Sequence, residues 1–251
     1  MDRGIYAASS GGLHSARRVD VVGHNLANVS TVGYKAERLV GRQQEFKDTL
    51  AGALSNMPER AVGDHARTPG VVHISTMTDF SPGPVSYTGN PLHVALNDKN
   101  QFFVIDTPEG EAYTRAGNFS LNGEGQIVTA DGKSVLGEGG PIAVEGSQAG
   151  ITSNGQVVVN GKIAGKLRVA QFEDLTGLER KEGVLFVAKG AQPQSVAANV
   201  IPASVELANI SVVDAMVEMI SAQKSFESYA KSVQTIGDLN ETSLRTVRST
   251  G

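Results

Sequence analysis

Residues 23–36 read GHNLANVSTVGYKA and lie where a segment with the pattern of an amphipathic helix gives way to a linker. Asn28 is expected to end the helix, and Gly33 is expected to adopt a positive φ before Tyr34. Asn25 is harder to explain, because an asparagine inside a helix is costly unless another chain's backbone satisfies its amide. The stretch therefore predicts a helix end at which an asparagine needs a partner.

The helix that precedes this stretch has a weak seven-residue repeat that includes small residues. The repeat consists of Ile5, Gly12, Val19 and Leu26, with Ala8, Ser15 and Val22 three positions further on. Small side chains allow another backbone to approach closely, but glycine costs about 1 kcal/mol relative to alanine inside a helix. An isolated helix of this composition is marginal, so we expect it to fold against a partner.

The C-terminal segment has a clearer repeat, and no proline follows Pro202. The positions seven apart are Val212, Met219, Phe226, Val233, Asn240 and Val247, and those three further on are Ala215, Ala222, Tyr229, Ile236 and Ser243. A spacing near 3.5 residues sustained over several heptads is typical of a coiled-coil seam. Asn240 occupies a seam position, where a polar residue can fix the register.

The middle of the chain has the composition of β structure. All nine prolines lie between Pro58 and Pro202, and short apolar and β-branched runs are separated by turn dipeptides such as Asn122-Gly123. Short strands at intervals of about 8 to 12 residues predict an all-β barrel or a sandwich of hairpins. The most secure hairpin is predicted at Asn160-Gly161, between QVVV and KIAGKLRV.

The sequence therefore divides into four predicted parts. Residues 1–34 are expected to form an N-terminal helix and its bend, 35–70 an extended linker available to wrap a neighbour, 71–200 an all-β domain, and 201–251 a C-terminal helix. The predicted fold class is mainly β, with flanking N- and C-terminal α-helices whose heptad repeats are typical of coiled coils.

Little in the sequence points to chemistry. Cysteine is absent, which excludes disulfides and thiolate sites, and the five histidines are scattered without metal-ligand spacing. The carboxylates Glu173-Asp174 and Glu179 with Glu182 are better explained as a solvated loop than as an acid and base pair. We expect no catalytic residue, no cofactor and no metal, and therefore no enzyme.

Charge and hydropathy also restrict the partners. The net charge is −4, and no basic stripe is interleaved with aromatic residues, so nucleic-acid binding is not expected. No stretch approaches the roughly 18 apolar residues of a membrane span, and the first residues lack the pattern of a cleaved secretory signal. We therefore expect no direct membrane insertion.

Residues 23–36 closely resemble the N-terminal signature of bacterial flagellar rod and hook proteins, in which Asn-Leu-Ala-Asn precedes Thr-x-Gly-aromatic-Lys/Arg. Other stretches are similar to the family's blocks in the family's order, namely SPGPVSYTGNPLHVAL, NQFFVI, EAYTRAGNFSLNGEGQIVTADGKSVLG and VELANISVVDAMVEMISAQKSFESYAKSVQTIGDLN. The opening MDRGIYAA, the short length and GKSVLGEGGPI most resemble the family's proximal-rod branch, and next its distal-rod branch. The chain departs from the pattern at His93, where the family usually has an acidic residue, and at residues 208–211.

The resemblance implies a structural subunit of the flagellar basal-body rod, the shaft that transmits motor torque through the periplasm. In this family, both terminal helices pair in a tubular core and the β domain lies outside it. Together with the seams, this predicts a subunit interface at Ile5, Ala8, Gly12, Val19, Asn25, Leu26, Asn28, Gly33, Tyr34, Val212, Met219, Phe226, Val233, Ile236 and Asn240. Asn25 and Asn28 are expected to form hydrogen bonds at the bend, where the helix meets another subunit.

The implied partners are other proximal and distal rod subunits, further copies of the chain, and the rod cap and export apparatus during assembly. Export is expected through the flagellar type III channel without a cleaved signal, and the terminal helices are expected to fold on assembly. A distal-rod or hook subunit is the first alternative, although hook proteins typically carry inserted domains. A secreted enzyme or carbohydrate-binding β domain is a remote alternative, disfavoured by the aromatic content of 5%.

Overall fold

The structure is a computed structural model that describes residues 2–43, 72–144, 146 and 149–249. Side chains are described at these positions except 2–8, 42–43, 72–74 and 240–249. The chain forms two compact units, each assembled from separate segments. The helical unit contains Met1–Leu26, Glu37–Met77 and Val212–Gly251, and the β unit contains Ala27–Ala36 and Thr78–Ser211.

The helical unit consists of two long helices and a two-stranded ribbon. Helix α1 spans Asp2–Ala27 and helix α2 spans Val212–Ser249. Strand β1, Glu37–Gln43, pairs with strand β2, Val72–Thr78. The start of the predicted linker is therefore a strand, and its residues 44–70 lie outside the described residues.

The two helices of this unit contact each other and run in opposite directions. A Cβ atom built on Gly23 would lie 3.3 Å from Cε of Met219, whereas one built on Gly11 would lie 2.4 Å from the ring of Tyr229. On α2, Ala222 is fully buried. Small residues on both helices therefore permit a close approach of α1 and α2, as the sequence predicts. Pairing of the two helices as a coiled coil stays a prediction.

The β unit is built from short antiparallel strands. They are β3 Val85–Tyr87, β4 Val94–Leu96, β5 Gln101–Thr107, β6 Gly110–Thr114, β7 Ser120–Leu121, β8 Ile127–Val128, β9 Leu136–Gly137, β10 Gly140–Pro141, β11 Ala149–Ile151, β12 Gln156–Val159, β13 Lys162–Lys166, β14 Val169–Gln171, β15 Leu178–Glu182, β16 Leu185–Ala188, β17 Gln194–Val196, β18 Val200–Pro202 and β19 Ser204–Glu206. Together with α1 and α2, they confirm a mainly β chain with flanking helices.

The largest sheet has six strands in the order β15-β16-β6-β5-β14-β17. Smaller sheets pair β9 with β10, β12 with both β11 and β13, β18 with β4, β19 with β3, and β7 with β8. The six-stranded sheet ends at two edge strands, and no sheet among the described strands closes on itself. The barrel predicted from the even spacing of turns is therefore wrong, because strands this short form several separate sheets instead of one continuous one.

Both faces of the six-stranded sheet are covered by apolar side chains. Alternate residues of β5 point to opposite faces: Phe103 and Ile105 join one buried cluster, whereas Phe102 and Val104 join another. In the second cluster, the rings of Phe102 and Phe172 meet edge to face, with centroids 5.7 Å apart. A strand buried on both sides must be apolar at consecutive positions, which explains the run QFFVI.

The hairpin predicted at Asn160-Gly161 is confirmed. Strands β12 and β13 pair as antiparallel neighbours, with Val159 opposite Lys162. Asn160 has φ of 50° and Gly161 has φ of 79°. Two successive residues with positive φ are typical of the two-residue turns that match the twist of a hairpin.

Candidate functional site

Asn25, near the end of α1, is satisfied within the helical unit. Its Nδ2 donates to the carbonyl oxygen of Glu37 at 2.8 Å, and its Oδ1 accepts the Glu37 N–H at 2.9 Å. The side chain therefore binds the first residue of β1 as a paired strand would. The backbone that satisfies Asn25 belongs to the same chain, whereas sequence reasoning assigns it to another chain.

Replacing Asn25 with alanine is expected to lower the free energy of unfolding by about 1 to 3 kcal/mol, because two hydrogen bonds of about 0.5 to 1.5 kcal/mol each are lost. Equilibrium urea denaturation measures the change. The matched control is Gln223→Ala, which removes an exposed amide from α2 and is expected to change stability by at most about 0.5 kcal/mol. Equal losses in the two variants would contradict the role given to Asn25.

The bend that follows α1 belongs to the β unit and is set by Gly33. The N–H of Thr31 donates to the carbonyl oxygen of Asn28 at 3.0 Å. Gly33 has φ of 70°, which confirms the positive φ predicted for it. A Cβ at this position would lie only 2.3 Å from the backbone nitrogen of Ala116. Glycine is therefore required for its φ and also for a close backbone approach.

Two residues after Gly33, the bend places Lys35 in a buried ion-pair cluster. Nζ of Lys35 lies 2.6 Å from Oε1 of Glu206, and Nη2 of Arg115 lies 2.6 Å from Oε2 of the same carboxylate. The three side chains are at most 2% exposed. One carboxylate thus binds two cations in the interior of the β unit, at positions far apart in the sequence.

The charges of this cluster stabilise the ionised form of Glu206. Burial alone would raise the pKa of the Glu206 carboxyl, but the charges of Arg115 and Lys35, with hydrogen bonds from Lys35 and the Gly83 N–H, outweigh burial and hold that pKa below its ordinary value. For Lys35, burial lowers the pKa of the ammonium group, and the attraction of Glu206 only partly opposes this effect. Glu206 is therefore an anion at neutral pH.

Tyr34 is fully buried beside this cluster. The guanidinium carbon of Arg180 lies 4.6 Å from the centroid of its ring, within the range of a cation–π contact. Arg180 also donates to the carbonyl oxygen of Lys35. The aromatic residue and the lysine of the signature therefore share a binding partner from β15.

Asn209, just before α2, binds the backbone of the bend. Its Oδ1 accepts the Ala36 N–H at 2.7 Å, and its Nδ2 donates to the carbonyl oxygen of Asp79 at 2.9 Å. The Asp79 N–H in turn donates to the carbonyl oxygen of Ala36 at 2.8 Å. This asparagine lies in the segment that departs from the family pattern, and its role was not predicted from the sequence.

The predicted interface residues of the helical unit fall into three groups. Gly12, Phe226 and Val233 line one groove of about 460 Å³ between α1 and α2, together with Ser9, Leu13, Ala16, Tyr229 and Ala230. Val19, Leu26, Met219 and Ile236 are half-buried, and Val212 is exposed. The side chains of Ile5, Ala8 and Asn240 lie outside the described residues. Whether any of these residues contacts another subunit stays a prediction.

A second apolar face of α2 was not singled out from the sequence. It consists of four exposed residues, Val213 at 69%, Met216 at 50%, Val217 at 62% and Ile220 at 53% exposure. Their spacing of three, four and seven residues places them on one side of the helix. The heptad assigned to the seam excluded these positions, although the helical spacing of these four apolar residues is visible in the sequence. We call these four residues the outer face of α2.

The residues weighed for chemistry lie on the surface or form ordinary contacts. Asp174 accepts hydrogen bonds from the N–H and hydroxyl of Thr176, which lower the pKa of its carboxyl. His93 is hydrogen-bonded through Nδ1 to Oγ1 of Thr88 at 2.9 Å. Among the described residues, no cluster of histidines and carboxylates could hold a metal ion. Neither described helix combines the length and the apolar character needed to cross a bilayer.

Three family models match separate parts of the chain. The model described as "Flagella basal body rod protein" matches residues 5–35, which include Asn25 and Gly33. The "Flagellar hook protein FlgE/F/G D1 domain" matches residues 98–159, and the "Flagellar basal body rod FlgEFG protein C-terminal" matches residues 202–246. The cluster at Glu206 thus joins residues from all three matched regions.

Curated relatives match nearly the whole chain. The flagellar basal-body rod protein FlgG of Bacillus subtilis is 31% identical, over 95% of this chain and 97% of the relative. FlgF of Caulobacter vibrioides is 27% identical over 97% of each chain, and FlgG of the same organism is 30% identical over 92% of this chain and 94% of the relative. These relatives are structural rod proteins and not enzymes, which confirms the expectation of a non-enzymatic role. The chain belongs to the flagellar basal-body rod protein family that includes FlgF and FlgG.

Proposed function

We propose that this chain is a subunit of the proximal rod, which polymerises through its terminal helices into the shaft that transmits torque. The observation that carries the proposal is the outer face of α2, a row of exposed apolar side chains on a helix whose other side already contacts α1. A soluble subunit gains stability by burying such a row against a partner. Family membership makes that partner another rod subunit.

The proposal assigns roles to the parts of the chain defined from the sequence. The helices of the two predicted terminal parts, α1 within residues 1–34 and α2 within residues 201–251, pair as a coiled coil in the assembled core. Residues 35–70 form a linker to neighbouring subunits, and residues 71–200 lie outside the core. The interface comprises the predicted seam residues, and the groove lined by Gly12, Phe226 and Val233 supplies an apolar surface for it. The outer face of α2 adds a contact that the seam does not include.

The chain associates with its own copies and with other proximal and distal rod proteins, and during assembly with the rod cap and the export apparatus. It works in the rod between the membranes. Family membership supports these roles.

A distal-rod subunit is the second candidate. Identity with the FlgG relatives, 31% and 30%, is slightly higher than the 27% identity with one FlgF relative. The FlgF match nevertheless covers 97% of both chains, and the motifs MDRGIYAA and GKSVLGEGGPI favour the proximal role.

An in-frame deletion in the source bacterium is expected to abolish swimming and to leave basal bodies with an inner ring and a truncated rod. Electron microscopy of isolated basal bodies locates the truncation. A rod that ends close to the inner ring supports the proximal role, and one that ends beyond the proximal segment supports the distal role. Complete flagella on swimming cells would contradict both.

Complementation of the deletion tests the outer face of α2. Val217→Lys is expected to fail to restore rods, because it places a charge where a neighbouring subunit packs. The matched control is Ile163→Lys in β13, since Ile163 is 64% exposed and Val217 is 62% exposed. Both substitutions exchange an exposed apolar residue for lysine, so a loss confined to Val217→Lys reports on assembly and not on folding.

A further inference from the structure

The chain passes between its two units four times, at residues 26/27, 36/37, 77/78 and 211/212. Within the β unit, these crossings adjoin three segments, residues 27–36, 78–84 and 204–211, which we call the link segments. Every covalent connection to the helical unit therefore runs through one of them. Hydrogen bonds within the β unit join all three.

Backbone hydrogen bonds make the first connections between link segments. The Gly33 N–H donates to the carbonyl oxygen of Glu206 at 2.7 Å, which joins the first segment to the third. The Leu207 N–H donates to the carbonyl oxygen of Pro84 at 2.9 Å, which joins the third to the second. The link segments are thus hydrogen-bonded to one another directly, and not through the six-stranded sheet.

Two side chains of the third segment each bind both of the others. The carboxylate of Glu206 accepts from Nζ of Lys35 and from the Gly83 N–H at 2.8 Å. The amide of Asn209 binds the first segment at Ala36 and the second at both Asp79 and Ser81. Lys35 completes the set, because its Nζ also donates to the carbonyl oxygen of Ser81 at 2.7 Å.

We propose that Lys35, Glu206 and Asn209 are positioning residues that hold the three link segments together as one body, which we call the anchor. Arg115 connects the anchor to the six-stranded sheet, because its Nη1 donates to the carbonyl oxygens of Asp98 and of Gln101, the first residue of β5, at 2.6 and 2.7 Å. A force applied at any of the four crossings is then transmitted to the six-stranded sheet, and no single link segment carries it alone.

Burial makes the anchor cooperative. Pulling one segment away would leave the charge of Lys35 or Glu206 without its partner inside the protein, and a buried unpaired charge costs far more than an exposed one. The three segments therefore open together. The delivery of torque rests on the proposed rod function, whereas the anchor itself is a property of the isolated chain.

Hydrogen exchange of the purified full-length protein, followed by mass spectrometry, tests the anchor. Asn209→Ala is expected to raise the exchange rate of peptides from all three link segments by about tenfold or more, since several hydrogen bonds are lost at once. Peptides from β5, at the centre of the sheet, are expected to exchange as in the unchanged protein. Faster exchange confined to residues 204–211, or no change, would overturn the anchor.

A second pair of variants separates positioning from general destabilisation. Lys35→Met is expected to accelerate exchange in all three segments, and Lys35→Arg, which keeps the charge, is expected to restore at least part of the protection. Gln194→Ala, which removes an exposed amide bound to Glu173, is the control and is expected to leave the link segments unchanged. Protection that is equal in Lys35→Met and Lys35→Arg would also overturn the anchor. None of these results depends on whether the deletion mutant lacks rods.

Discussion

Glu206→Ala is expected to lower the free energy of unfolding by about 3 to 5 kcal/mol, because it leaves two cations buried without a counter-charge. Lys35 and Arg115 both lie 2.6 Å from the Glu206 carboxylate, and neither side chain is more than 2% exposed. Equilibrium urea denaturation of the purified chain measures the loss as a lower midpoint at an unchanged slope.

The control for this substitution is Glu138→Ala. Glu138 also pairs with a lysine at 2.6 Å, but its side chain is 57% exposed. Because exposed ion pairs contribute about 0 to 1 kcal/mol, this variant is expected to be nearly as stable as the unchanged protein. A similar loss in both variants would show that burial does not determine the strength of the Glu206 cluster.

The pH dependence of stability gives an independent measurement of Glu206. Because the pKa of Glu206 is lowered in the folded protein, the unfolded chain binds a proton at this residue first as the pH falls. The contribution of Glu206 to stability is therefore complete above its pKa in the unfolded chain, about 4.3. That contribution is lost as the pH falls through the lower pKa of the folded state. The difference in stability between the unchanged protein and Glu206→Gln is therefore expected to shrink below about pH 4. A difference independent of pH would contradict the ionised state.

Gly33→Ala is expected to lower the free energy of unfolding by about 3 kcal/mol. A non-glycine residue in the left-handed region costs about 1 to 2 kcal/mol, and forcing atoms into a packed site adds about 1 to 3 kcal/mol. The new Cβ would lie 2.3 Å from the nitrogen of Ala116 and 2.6 Å from the carbonyl carbon of Arg115. Both are backbone atoms and cannot rotate away. Urea denaturation again measures the loss.

Gly132→Ala separates the two contributions. Gly132 has φ of 77°, similar to the 70° of Gly33, but a Cβ there would meet no atom within 4 Å. This variant is expected to show only the backbone cost, about 1 to 2 kcal/mol. If Gly132→Ala and Gly33→Ala were equally destabilised, the close approach to Ala116 would have no energetic role.

Local sequence patterns predicted the parts of this fold that depend on neighbouring residues. The hairpin at Asn160-Gly161 and the positive φ of Gly33 follow from residue types within a few positions of each other. The helices follow from periodicity and from the placement of proline. The number of sheets did not follow, because turn spacing shows where strands end but not which strands pair.

The ion-pair cluster could not be predicted in the same way. Lys35 and Glu206 are 171 positions apart, and Arg115 and Glu206 are 91 positions apart. No pattern in a single sequence joins charges over such distances, and isolated charges are usually solvated. The partner of Asn25 was missed for a different reason. The strand that begins at Glu37 was assigned to a linker, so no backbone of the same chain was expected there.

The two hydrogen bonds between Asn25 and Glu37 have a consequence for the length of the signature. They close residues 26–36 into a loop. Within that loop, the Gly33 N–H donates to the carbonyl oxygen of Glu206, and the Ala36 N–H donates to Oδ1 of Asn209. Adding or removing one residue would change the length of this loop and displace the contacts that Gly33 and Ala36 make within the β unit, even if every side chain were kept. The signature thus encodes a residue count as well as residue types. A one-residue insertion in this segment should be tolerated far less than one at Gly161, where a Cβ would meet no atom within 4 Å.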